Sequence, residues 1–177
     1  MIETGLLVPG LSAQSHRPAN PRRAPGEYVM GSQLIAALIL CASNVCIHAL
    51  GSYANLLWIL RALKRRSALT PFSALWIMLR LVVVLLFLHV LEIAVWARFY
   101  VAWRCFPDHE TAYYFSLITY TTLGNGDVLL PRAWRITGGC EAMIGILLFG
   151  WSTANLVAFL QYAQAARRQK YFSNGPA

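Results

Sequence analysis

The stretch Thr121-Thr122-Leu123-Gly124-Asn125-Gly126-Asp127-Val128 concentrates the groups in this chain best suited to hold a ligand. Glycines at 124 and 126 permit backbone conformations closed to other residues. Successive carbonyls can then point to one side, and the Thr122 hydroxyl adds a further oxygen. Oxygen ligands suit a hard monovalent cation, and several weak sites in series let it leave as well as enter. Phosphate chemistry is a poorer fit. Position 129 is leucine, so the third glycine of a dinucleotide fingerprint is missing, and no lysine follows for a phosphate loop. Alone, Gly-Asn-Gly reads equally well as a tight turn between helices. The elements around it decide.

Those elements are apolar. Of 177 residues, 58% are hydrophobic, and mean hydropathy is +0.51. That is too greasy for a soluble globule of this length. The net charge of +8 suggests nucleic acid at first sight. The basic residues cluster beside apolar spans, however, so positive-inside membrane topology accounts for them and no nucleic-acid partner is expected. Three segments have the roughly 20 apolar residues a membrane helix needs: 33–60, 74–103 and 140–163. Apolar residues occupy all their faces. Residues 1–30, rich in Pro, Gly, Ser and Arg, are expected to form a disordered tail, and one expectation is that Met30 is the biological start.

A shorter apolar piece, 111–122, lies between the second and third spans. Its length suits a re-entrant segment. Asp108 after Pro107 is placed to cap it, Glu110 favours its dipole, and the helix should end near Thr121. Arg61, Lys64, Arg65 and Arg66 link spans one and two, and Arg167, Arg168 and Lys170 follow span three. Both clusters are expected in the cytoplasm, with the N-terminus outside and the loop entered from the outer face. Arg17, Arg22 and Arg23 weaken that orientation only if the tail is present.

Thr122-Leu123-Gly124-Asn125-Gly126-Asp127 resembles the filter of the potassium-channel superfamily, Thr-x-Gly-Tyr-Gly-Asp, departing only at Asn125. The resemblance covers about 74–165. The stretches "FSLITYTTLGNGD" and "LLFGWSTA" liken it further to bacterial small channels with one extra N-terminal span. It implies an all-α integral membrane fold: three transmembrane helices, a re-entrant pore helix and a filter loop, assembled as a homotetramer. One loop cannot surround an ion, so several copies must meet in any case. The expected division is a tail (1–30), an extra helix with its basic link (31–66), a pore domain (70–166) and a cytoplasmic tail (167–177). The implied function is passive potassium conduction across the cell membrane, with K+ as permeant ion, no cofactor and no enzymatic activity. The alternatives are a weakly selective cation channel and a non-conducting adaptor or regulatory subunit that keeps the scaffold. Thr121 to Asp127 would form the filter, with ion ligands from Thr122, Leu123, Gly124 and Asn125. In the family an aromatic residue at the Asn125 position braces the filter against the pore helix, so rigidity and selectivity turn on what Asn125 does. Gly145 and Gly150 resemble a gating hinge, although close helix packing explains either. The resemblance also admits a bridge between Cys105 and Cys140, against the reading of two free buried thiols; Cys41 and Cys46 read as apolar fillers.

Polar residues inside the spans need partners. Ser152, Thr153 and Asn155 are candidates to line a cavity, though they span different faces. Asn44 and His48 share a face of the first span, and His89 and Glu92 share one of the second. They are expected to form a seam joining the extra helix to the pore unit. The sharper reading is a proton sensor, since histidine titrates near neutrality. No ligand spacing demands a zinc site from His48, His89 and Glu92. Trp103 and Trp134 are expected in the outer aromatic belt and Trp58 near the inner one, and the Arg167–Lys170 run is expected to mark the cytoplasmic interface, with contact to anionic lipid as an additional reading.

Overall fold

A computed structural model describes residues 30–64 and 70–173. The tail, Arg65 and Arg66 of the basic link, and the last four residues lie outside the described residues. Among these, the elements are α1 (Met30–Lys64), α2 (Pro71–Ala102), α3 (His109–Tyr120), a 3-10 turn (Arg132–Trp134) and α4 (Arg135–Ser173). The chain is all-α. Three of its helices are long and apolar enough to cross a membrane, as the hydropathy of the sequence requires.

Local chemistry sets the helix starts. Thr70 accepts a hydrogen bond from the Ser73 N–H, and Pro71 occupies the first turn of α2, where its missing N–H costs nothing. Asp108 caps α3, accepting from the Thr111 N–H at 2.8 Å and the Thr111 hydroxyl at 2.9 Å. Those two bonds favour the ionised carboxylate and hold Asp108 below its ordinary value.

The end of α2 is a surprise. The Cys105 N–H returns to the Tyr100 carbonyl and the Arg104 N–H to that of Val101. This is a Schellman stop, whose left-handed residue is normally glycine. Here it is Arg104, at φ 53°. The stop throws the chain back so that α3 runs down beside α2. Its last residue, Tyr120, meets Glu92, ten residues before the end of α2, or roughly 15 Å down the bundle. The chain then returns to its starting end, where Trp134 packs edge-on against Phe99 at 5.2 Å. The piece is therefore a re-entrant hairpin. Trp134 is buried in an aromatic cluster with Tyr100, Phe106 and Phe115, not exposed in an interfacial belt. The rings fill the space the hairpin opens between α2 and α4.

The long helices cross as the charges demand. α1 runs antiparallel to α2: Asn55 meets Arg80, Gly51 closes on Leu88, and His48 meets Glu92. It runs parallel to α4: Cys41 meets Cys140 and Ser52 meets Asn155. Pro71 and Leu75 of α2 share a crevice with Gln164 and Arg167 of α4. Arg61, Lys64, Arg167 and Arg168 therefore lie at one end, opposite Asp108 and Glu110.

α1 is an inside-out helix. Its buried positions include Gln33, Asn44, His48 and Asn55, whereas Leu34, Ile35, Leu38, Ile39, Leu50 and Leu56 are exposed. Such a helix faces lipid with its apolar side and protein with its polar side.

Two outcomes are expected. Arg104→Gly should raise stability by about 0.5 kcal/mol or more, because the left-handed cost of roughly 1–2 kcal/mol outweighs the entropy glycine loses; unfolding in detergent micelles reads it. The Asp108 carboxyl is depressed in the folded state. Its contribution is therefore present above the ordinary aspartate value of 3.8 and is lost as pH falls through the depressed value. Asp108→Asn, which keeps the cap without the charge, should flatten that acid limb of the unfolding curve.

Candidate pore loop

The loop after α3 begins by tightening the helix end. The Thr122 N–H bonds to the Thr119 carbonyl and the Gly124 N–H to that of Ile118, at 2.9 and 3.0 Å. The Thr121 hydroxyl turns back onto the Leu117 carbonyl at 2.7 Å. From there left-handed backbone recurs at every second residue: Thr122 at φ 60°, Gly124 at 54° and Gly126 at 77°. An extended chain alternates its carbonyls between two sides. A chain that alternates hand turns successive peptide planes the same way, so N–H groups gather on one side and carbonyls on the other. Glycine accepts this geometry freely. Thr122 accepts it at a cost of roughly 1–2 kcal/mol, which marks a conformation held by its surroundings.

Asn125 is braced. Its side-chain amide donates to the Tyr114 hydroxyl at 3.1 Å, and that hydroxyl donates to Asp127 Oδ2 at 2.7 Å. One α3 tyrosine thus ties down two loop residues. The loop itself, Thr121 to Asp127, is exposed in the single chain. It lies at the tip of a half-length helix, below the end of α2.

Gly145 is where α4 passes the end of α3. A Cβ there would collide with the Tyr120 carbonyl oxygen, whereas at Gly150 it would meet open space. α4 is helical through both positions. Gly145 is therefore a close-packing residue, and Gly150 makes no such contact.

The polar residues of α4 divide. Ser152 is buried and bonded to His89 at 2.9 Å, so it does not line an open cavity. Asn155 is half-buried, donating to Ser52 of α1 at 3.3 Å. Only Thr153 of the three is exposed. The seam brings His48, His89 and Glu92 together: His48 Nδ1 lies 2.9 Å from Glu92 Oε1 and His89 Nδ1 lies 3.0 Å from Oε2. Their candidate ligand atoms fall within 4.8 Å of one another. A tetrahedral zinc site with bonds of about 2.0–2.1 Å would separate ligand atoms by about 3.3 Å; the observed contacts are the shorter ones of hydrogen bonds. Asn44 is fully buried in the same face of α1, but its amide makes no protein hydrogen bond.

Cys105 and Cys140 are both free thiols, so no bridge joins them. Each packs against the aromatic cluster, and burial pushes the Cys105 thiol up to about 11, away from the reactive thiolate. Trp58, expected as an interfacial ring, carries the Arg80 guanidinium 3.6 Å above its centroid. Sequence reasoning passed over Arg80, Tyr114, Tyr120 and Glu141. Glu141 is fully buried and accepts from the Tyr100 hydroxyl at 2.8 Å. A carboxylate inside an apolar span was the available signal for it.

Three membrane-length helices around a re-entrant, glycine-bearing hairpin define a multi-pass membrane protein of channel-like build. Residues 85–162, which include all of α3, the loop and most of α4, match the family model described as Ion channel. No curated protein and no solved structure matches the chain. The match and the helix pattern support a cation-channel-like function.

Gly145→Ala should destabilise the fold by about 1–3 kcal/mol through overpacking against backbone, while Gly150→Ala should leave stability unchanged or slightly raised. Thermal unfolding of the two purified variants in detergent compares them directly.

Proposed function

We propose that four copies meet on an axis through the Thr121–Asp127 loops and conduct potassium passively across the cell membrane. The observation that carries this is the alternating hand of Thr122, Gly124 and Gly126 in a loop the single chain leaves exposed. Backbone polar groups at membrane depth persist only where protein buries them or where they line a wet cavity. Carbonyls turned to one side, in several copies, make such a cavity a cation path. Thr122, Leu123, Gly124 and Asn125 would supply the oxygens, and Gly126 and Asp127 would close the outer mouth. The negative C-terminal end of α3 points where the cation would dwell. The shared end of Arg61, Lys64, Arg167 and Arg168 supports a cytoplasmic placement for both clusters.

Selectivity rests on holding the oxygens at fixed spacing. The Asn125–Tyr114–Asp127 chain supports it, since two hydrogen bonds stand where the related filters use an aromatic brace. Each is worth about 1 kcal/mol. Tyr114→Phe breaks both and should lower the potassium-to-sodium permeability ratio by about tenfold, or about 1.4 kcal/mol of discrimination. Bi-ionic reversal potentials of the reconstituted protein measure it. Equal ratios in the two proteins would remove the bracing argument. Gly124→Ala should abolish flux, and a wild type without flux in vesicles would point to the non-conducting adaptor.

A further inference from the structure

The buried cluster behind the loop contains more contacts than neutral protons can fill. It draws on all four helices: His48 from α1, His89 and Glu92 from α2, Tyr120 from α3 and Ser152 from α4. His48, Glu92 and Tyr120 are fully buried, and His89 and Ser152 nearly so. Two oxygens of Glu92 accept only, when ionised. His48 Nδ1–H satisfies Oε1 at 2.9 Å. The other His48 nitrogen is then an acceptor, and the Ser152 hydroxyl lies 3.4 Å from it and can donate to it. Ser152 has a single proton, so the His89 Nε2, 2.9 Å away, must donate to the Ser152 oxygen. That leaves His89 Nδ1 bare, facing Glu92 Oε2 at 3.0 Å. The Tyr120 hydroxyl sits beside both atoms with one proton for the two.

Two lone pairs therefore confront each other in a dry site. One further proton between them removes the clash. It makes the cluster neutral as well, whether it sits on the imidazole against a carboxylate or on the acid against a neutral ring. Releasing it to water leaves a net charge of −1, and adding another gives +1. Either change is costly where the dielectric is low. Glu141 of α4 is the other carboxyl that acts on Tyr120.

We propose that His89 and Glu92 share one exchangeable proton, and that this proton latches α1 to the end of the pore helix. Tyr120 is the transmitting group. Its hydroxyl belongs to the cluster, its carbonyl is the surface on which Gly145 packs, and the next residue opens the Thr121–Asp127 loop. Loss or gain of the proton changes what Tyr120 bonds to, and with it the seating of the loop. The coupling to conduction rests on the pore reading above; the shared proton does not.

The test has two arms on the full-length protein. The first is nitrogen-15 NMR of the histidines in detergent. The chain has four, and His48→Gln and His89→Gln assign the two buried rings. His48 should appear as the Nδ1–H tautomer, and both rings should change in one common transition that Glu92→Gln abolishes. Rings that titrate independently in wild type overturn the shared proton, whatever the flux does. The second arm is potassium flux in vesicles as a function of pH. Flux should change by about threefold or more across the common transition that the NMR arm detects and become flat in Glu92→Gln. Tyr120→Phe removes only the hydroxyl. It should flatten the flux profile while the two rings remain coupled, and it also serves if Glu92→Gln fails to fold. Coupled rings with a pH-flat wild-type flux overturn the latch and leave the conduction reading intact. Absent flux at every pH overturns that reading, and with it the latch, and the NMR arm still decides the proton.

Discussion

Hydrocarbon offers no hydrogen bonds, and that constraint organises this molecule. Inside the bilayer every N–H and C=O must find a partner in the chain or reach water. Helices solve this for α1, α2 and α4. The Thr121–Asp127 segment does not, because its backbone is non-helical, with left-handed residues at Thr122, Gly124 and Gly126. A segment of this kind is stable at depth only where protein covers it or where it lines a wet cavity. The half-length α3, its capped start and its close fit against α4 all serve to hold that segment in place.

The same constraint explains α1. Polar side chains in a span are expensive unless they face protein, so α1 turns Asn44, His48 and Asn55 inward and its leucines outward. The result inverts a soluble protein. What specifies the position of the extra helix is a seam of hydrogen bonds, with apolar packing filling the intervals. Gly51 against Leu88 and Gly145 against Tyr120 let helices close where the seam would otherwise hold them apart.

Much of this was legible in the residues. Hydropathy fixed three spans because roughly 20 apolar residues have few other uses. Pro107-Asp108 announced the start of α3, since an aspartate there has orphan N–H groups to satisfy. The spacing of His89 and Glu92 placed them on one face. By contrast, Arg104 hid the end of α2, because the signal for a left-handed stop is glycine and the fold imposed that conformation on an arginine. Ser152 looked like a cavity residue from its place in α4, and only the packing of His48 and His89 beside it showed that it turns inward.

Composition, charge and short-range spacing thus determined the class of fold, the hairpin and the residues of the loop, because membrane insertion and backbone conformation are local matters. Tertiary structure decided which polar groups meet. That Asn125 is tied to Tyr114, that Glu92 receives two histidines and a tyrosine, and that Cys105 and Cys140 stay apart depend on rotations of helices about their axes. Those rotations are set by contacts between residues far apart in the chain, and no local pattern records them.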